Sequence, residues 1–276
     1  MKAALDESSE PLPFVTLETG DSSAKIYLFG ACVTSYVKDG KDCLMVRPDA
    51  KMDGSKPISG GIPHCFPQFG PGEIQQHGFA RNLPWVVDSL ADGVEPKLVL
   101  KLTPSDYTKG MWDKEFEATY TVTLKEDSLI CDLGVKNTGS SAFDFTTALH
   151  TYWSISSIKN AKITGDFQGA TFLNKMLDPP AEQTCESGEI VITEETDSVY
   201  KGVTGDVVIE DSGIGRKINI KATGGWEDTV LWNPYGNEGM GYDSFVCVEC
   251  AKALSPVNLA PAETWTASMS VVPEAL

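Results

Sequence analysis

Apolar and polar residues alternate in short runs along this chain, and no stretch of about 12 residues sustains a helical period. Ala24–Phe29, Lys97–Thr103, Phe116–Leu124, Ser128–Lys136, Phe143–Trp153, Val207–Glu210, Lys217–Ala222, Phe245–Cys250 and Thr264–Val271 read as strands, whose successive side chains point to opposite faces. Turn signals separate them, at Asp39-Gly40, Asp53-Gly54, Asp92-Gly93, Asn137 to Gly139 and Ser212-Gly213. Many short strands with close turns predict an all-β sandwich or barrel, mostly antiparallel. At 276 residues and 41% apolar the chain can bury one large core, and no repeat or low-complexity linker divides it.

One segment breaks the alternation. Lys51 to Arg81 holds six Gly and four Pro in 31 residues, with two of the three His. It is too rich in breakers for a strand or helix and too apolar for a flexible linker. An ordered loop packed on the sheet is expected, serving either as a structural cover or as a functional element.

Two strands carry candidate chemistry. In Phe143–Trp153 one face presents Phe143, Phe145, Thr147, Leu149 and Trp153, a core face. The other presents Asp144, Thr146, Ala148, His150 and Tyr152, small residues leading to an imidazole and a phenol, which suits the floor of a cleft. Glu249 lies in a run apolar on both faces, between Phe245 and Ala251. A carboxylate there is costly unless paired or functional, and burial raises its pKa toward what a general base needs. The alternatives are a structural His and a structural ion pair.

Composition narrows the field. Acids outnumber bases 39 to 22, a net charge of −17, which argues against nucleic acid and anionic membranes as partners but not against a small anion held by local cations. No apolar run of about 18 residues is present. The first 13 residues, one Lys and three acids, resemble neither a secretory signal nor a transit peptide and read as a flexible segment. Seven scattered Cys and no glycosylation sequon predict free thiols in a reducing compartment. A cytoplasmic protein is expected, with a trimmed plastid precursor as the alternative. Cys247 and Cys250 form a C-x-x-C, but in a strand their sulfurs point to opposite faces, so they read as small core residues. His64, His77 and His150 lack a carboxylate at ligand spacing, and no metal site is predicted. Dinucleotide, P-loop and serine-hydrolase motifs are absent. Arg81 and Lys56 bracket the Gly-rich loop, and a guanidinium suits a phosphate or carboxylate.

Taken together, Ser55 to Gly70 (SKPISGGIPHCFPQFG), Gln76 to Arg81 (QHGFAR), Ala148 to Tyr152 (ALHTY), Trp232 to Pro234 (WNP) and Val246 to Glu249 (VCVE) resemble, in that order, the glucose-6-phosphate 1-epimerases, or hexose-6-phosphate mutarotases. These belong to the aldose 1-epimerase (galactose mutarotase-like) superfamily, and the plant-type, apospory-associated protein C-like branch is the most similar. The resemblance spans residues 14–272.

It implies a single domain over residues 1–276, an antiparallel β-supersandwich with an open cleft and no metal or organic cofactor. The catalytic pair is implied at His150 and Glu249. Substrate contacts are implied at Gln76, Arg81 and Asp197, with Ser59, His77 and Lys56 beside them. Glu249 is expected to take the proton of O1 and His150 to protonate the ring oxygen, so that the sugar opens, rotates about C1–C2 and closes on the other face. The expected enzyme is an isomerase acting on a sugar phosphate, glucose 6-phosphate first, and a monomer. In one place the chain departs from the pattern: other branches have an Arg that helps hold the phosphate where this chain has Ser59. Arg81 is then the expected anchor, with Lys56 and the amides of Gly60 and Gly61 assisting. A mutarotase of unphosphorylated aldoses, and a non-catalytic sugar-phosphate binding protein, are the competing expectations.

Overall fold

The hairpin of Phe116–Leu124 and Leu129–Asn137 shows how the alternation builds the core. Phe116, Ala118, Tyr120, Val122 and Leu124 enter the same buried cluster as Leu129, Cys131, Leu133 and Val135. Their intervening residues stay on the other face. The register Leu133↔Tyr120 and a tight turn from Lys125 to Ser128 lock the pair. The structure, a computed structural model, describes residues 2–7 and 11–276.

Among the described residues the strands form three antiparallel sheets. A five-stranded sheet runs Lys2–Asp6, Phe14–Thr19, Ser22–Tyr27, Cys32–Lys38 and Lys41–Asp42. A nine-stranded sheet centres on Arg216–Gly224, Thr264–Ala275, Leu129–Asn137 and Phe116–Leu124. The third, eight-stranded, runs Ala181–Thr184, Thr171–Asn174, Thr196–Lys201, Asp228–Asn233, Phe245–Leu259, Phe143–Leu149 and His64–Cys65, with Trp153–Ser154 beside Phe245–Leu259. All three contribute to one apolar cluster, and helix is confined to short turns such as Asp106–Lys109. The all-β sandwich expected from the sequence is what forms. All seven cysteines are buried free thiols.

The amino-terminal stretch corrects the expectation of flexibility. Lys2–Asp6 pairs with Phe14–Thr19 in the register Ala4↔Thr16, with Ala3 packed against the core, and the pairing satisfies backbone groups of both segments. Met1 and Ser8–Glu10, also in that stretch, lie outside the described residues.

The Gly-rich segment is an ordered loop, buried from Gly60 to Pro67. Its route depends on two glycines. Gly60 (φ 137°) and Gly61 (φ 68°) run so close to neighbouring backbone that an added Cβ would fall 2.3 Å from the Val46 Cα and 2.1 Å from the Val33 oxygen. The amides of His150 and Tyr152 donate to the carbonyls of Pro63 and Gly61, which ties the loop to the end of Phe143–Leu149.

Candidate active site

Strand register assembles the centre of the site. Val230 pairs with Glu249, and Leu149 with Cys250, so one further step puts His150 opposite Glu249. A parallel row places Asp197 beside Trp232 and Trp232 beside Cys247. Parity sorts the Phe245–Leu259 strand as alternation requires. Val246, Val248 and Cys250 enter the main core, whereas Phe245, Cys247 and Glu249 face the cleft side with Tyr152 and Trp232. The strand is apolar on both faces because its second face is roofed by aromatic rings.

These side chains surround a cavity of about 320 Å³. His150, Glu249, Gln76, His77, Arg81, Asp197 and Ser59 all line it. Lys56 does not: it stays exposed in the loop, beside a Ser55 turned onto Asp53, where water solvates its charge. The Gly61 amide donates to the Met45 carbonyl and is not free for an anion. Both corrections follow from the loop packing as a strand-like element instead of an open nest.

The structure adds residues that the sequence did not single out for the site: Arg47, Lys175 and Phe69. The Arg47 amide donates to the Ser59 carbonyl, so its side chain enters beside Ser59. Its guanidinium holds Asp49 through Nε (2.9 Å) and Nη2 (2.5 Å). Lys175 Nζ lies 2.8 Å from Asp197 Oδ2. Arg81 Nη2 donates to the Gln76 carbonyl at 2.9 Å, while its Nε is buried without a partner. A usable signal for Arg47 existed: the chain has three Arg, at 47, 81 and 216. Arg216 binds the carbonyls of Asp42 and Ser154, so the other two are the ones in the cavity.

His150 Nδ1 lies 3.2 Å from Glu249 Oε1. The contact is not aligned as a hydrogen bond, and His150 Nδ1 and Glu249 Oε2 are both buried without a hydrogen-bond partner. Burial pushes the Glu249 pKa well up, assisted by the Asp197 charge and opposed by Lys175 and Arg81. Burial also pushes His150 well below the ordinary imidazole value, with His77 and Arg81 adding to it. The imidazole stacks on Tyr152 (4.9 Å, 8°) and meets the Trp232 edge at 5.7 Å, which fixes its plane.

His77 is held in one tautomer. The Gly70 amide, which can only donate, points at its Nδ1 from 3.1 Å, so the proton sits on Nε2. Burial and the Arg81 and Lys175 charges lower its pKa to about 3, so it stays neutral. His64 is elsewhere, stacked on Trp85 and perpendicular to Tyr120 in the core, with Nε2 at the Ala31 carbonyl. The three histidines therefore do not converge.

Chemically the cavity offers a buried carboxylate of raised basicity touching a neutral imidazole, an aromatic wall and three cations. In a chain carrying 17 excess acids, that local cationic lining suits an anionic ligand.

Comparisons with known proteins agree. The family model described as aldose 1-epimerase matches residues 13–272. A Cenchrus ciliaris protein named "Putative glucose-6-phosphate 1-epimerase" is 31% identical over 91% of this chain and 82% of its own length. An Escherichia coli protein of the same name is 31% identical over 88% of this chain and 84% of its own. The crystal structure of a "putative mutarotase (YeaD)" from Salmonella typhimurium superposes with a TM-score of 0.88 at 25% identity, covering 99% of this chain and 94% of that one.

Proposed function

The chain belongs to the aldose 1-epimerase family, and we propose that it interconverts the α and β anomers of a hexose 6-phosphate, glucose 6-phosphate first. The observation that carries this reading is the contact between His150 Nδ1 and Glu249 Oε1 in a cavity lined by Arg47, Arg81 and Lys175. In a pyranose, O1 and the ring oxygen are both bonded to C1. A base for one and an acid for the other must therefore stand side by side, as these two groups do.

Glu249 takes the O1 proton as the C1–ring oxygen bond breaks, and His150 delivers a proton to the ring oxygen. The open aldehyde rotates about C1–C2. The two groups then act in reverse, His150 recovering its proton as the ring oxygen attacks the other face of C1. Each positioned acid or base contributes about 10²–10⁴-fold. The raised pKa of Glu249 strengthens it as a base, and the depressed pKa of His150 makes its protonated form a stronger acid. Trp232 and Tyr152 offer apolar faces to the sugar ring, and the neutral His77 directs its Nε2–H at the Gln76 side-chain amide, 3.4 Å away, which orients that amide.

The phosphate is assigned to the cations, with Arg47, which enters beside Ser59, supplying charge where other branches place an Arg at that position. The test is anomer exchange by NMR on glucose 6-phosphate and on glucose. Faster exchange of the phosphorylated sugar is expected. Equal rates would favour a mutarotase of unphosphorylated aldoses, and no acceleration of either would leave a binding protein.

A further inference from the structure

Cys247 lies beside His150 and Glu249 and has no part in the proposed reaction. It sits on the cleft-facing parity two residues before Glu249, fully buried under Tyr152, Trp232 and Phe245. Its thiol makes no hydrogen bond among the described residues. A ligand atom of His150, the Cys247 sulfur and a Glu249 oxygen all lie within 4.8 Å of one another. Two of these side chains also carry buried polar atoms without a partner, His150 Nδ1 and Glu249 Oε2. Both belong to side chains that line the cavity, where a bound ligand would satisfy them.

We propose that His150, Cys247 and Glu249 bind a thiophilic divalent cation of the zinc class, and that the bound ion blocks sugar turnover. One nitrogen, one sulfur and one oxygen are a donor set that zinc accepts at about 2.0–2.3 Å, which puts donors about 3.5 Å apart around a tetrahedral ion. His150 and Glu249 are already at 3.2 Å. The sulfur lies within 4.8 Å of both, so closing the site requires at most a small inward movement of the Cys247 side chain. Sulfur disfavours magnesium and calcium, which take oxygen.

Charge also balances. The divalent ion displaces the thiol proton, which leaves to solvent, and the thiolate and carboxylate then neutralise it. An electroneutral cluster avoids the cost of burying net charge among the nearby cations. The fourth position opens on the cavity. Occupancy takes the imidazole lone pair and the carboxylate that the sugar needs, so the ion acts as an inhibitor.

The blocking effect rests on the proposed mutarotase reaction, but the site does not, and cobalt(II) reads it without turnover. Titration of the metal-free full chain with Co²⁺ is expected to give one tetrahedral ion per chain. Intense visible bands and a near-ultraviolet thiolate-to-cobalt band should both be bleached by Zn²⁺. Cys247→Ser should remove the near-ultraviolet band and weaken Zn²⁺ by about tenfold or more. Glu249→Gln, which keeps the shape, should weaken Zn²⁺ similarly and covers the case in which the serine variant fails to fold. Zn²⁺ should slow anomer exchange of glucose 6-phosphate at the same concentrations, with recovery on chelation. The site is overturned if no thiolate band develops in the wild type, or if the band and the affinity survive both substitutions. A cobalt spectrum without inhibition overturns the blocking role alone. Absence of exchange by the metal-free protein strikes at the proposed function instead and leaves the spectrum to decide the site.

Discussion

Replacing Arg81 by Ala should separate recognition of the phosphate from recognition of the sugar. Of the three cations lining the cavity, Arg47 is held by Asp49 and Lys175 by Asp197. Among the described residues Arg81 meets no carboxylate, and its Nε is a buried donor without a partner. A phosphate there meets a guanidinium that no ion pair holds and satisfies an orphaned N–H. A hydrogen bond to a charged group is worth about 1.5–3 kcal/mol, and about 1.4 kcal/mol is tenfold. Arg81→Ala should therefore lower kcat/KM for glucose 6-phosphate by about ten- to a hundredfold. The phosphate is remote from C1, so most of the loss should appear in KM. Arg81 also holds the Gln76 carbonyl, and its truncation loosens that loop for any substrate. The change with unphosphorylated glucose, measured side by side by NMR exchange, isolates this shared loss, and only the difference counts as phosphate recognition. Raising the salt should shrink the difference by screening. Arg47→Ala, whose charge Asp49 already offsets, should cost less. If Arg81→Ala costs both sugars equally, or Arg47→Ala discriminates more strongly, this assignment of the phosphate grip is wrong.

Glu249→Gln keeps the shape and removes the base, so anomer exchange should fall by about 10²-fold or more with the circular dichroism unchanged; activity within a few-fold of wild type would return Glu249 to a structural role. Because burial raises the Glu249 pKa, its basic form is lost on acidification above the ordinary carboxylate range, and the acid limb of the kcat/KM–pH profile should lie above that range. A limb within the ordinary carboxylate range would contradict burial as the controlling effect. His150→Asn should lower kcat far more than it raises KM, since the acid acts chiefly in the transition state; an unchanged kcat would make it a binding residue. His64, buried with a pKa of about 4 against 6.5 when exposed, is neutral in the fold and takes up a proton on unfolding, so it withdraws stability as pH falls from above 6.5 toward 4. That amounts to about 2 kcal/mol at pH 5. Urea melts of His64→Gln should show a weaker dependence on pH over this window, and an equal slope would show that other groups govern acid sensitivity.

The parts of the site that were legible in the sequence are those encoded by parity. Alternation from Phe143 to Trp153 separates Phe143, Phe145, Leu149 and Trp153, which enter the core, from His150 and Tyr152, which line the cavity. Glu249 announced itself as a carboxylate in an apolar run. Parity did not show that regular pairing stops at Leu149, with the His150 amide turned to the Pro63 carbonyl. That departure depends on the loop. Asp197 came from the resemblance alone, since nothing within its strand marks it out.

What escaped is set by contacts between segments distant in sequence. Lys175 meets Asp197 across 22 residues. Arg47 follows Val46 near the edge of the first sheet, where a cation reads as solvated surface, and only the hydrogen bond from its amide to Ser59 brings it into the cavity. Ser59 and Arg47 are thus best considered together. A single small residue at 59 looks like a lost phosphate contact when the strand is read alone. In the fold the adjoining backbone carries a guanidinium to the same wall. A positive charge at that wall can be supplied from either of two backbones, so its absence from one position does not decide the substrate.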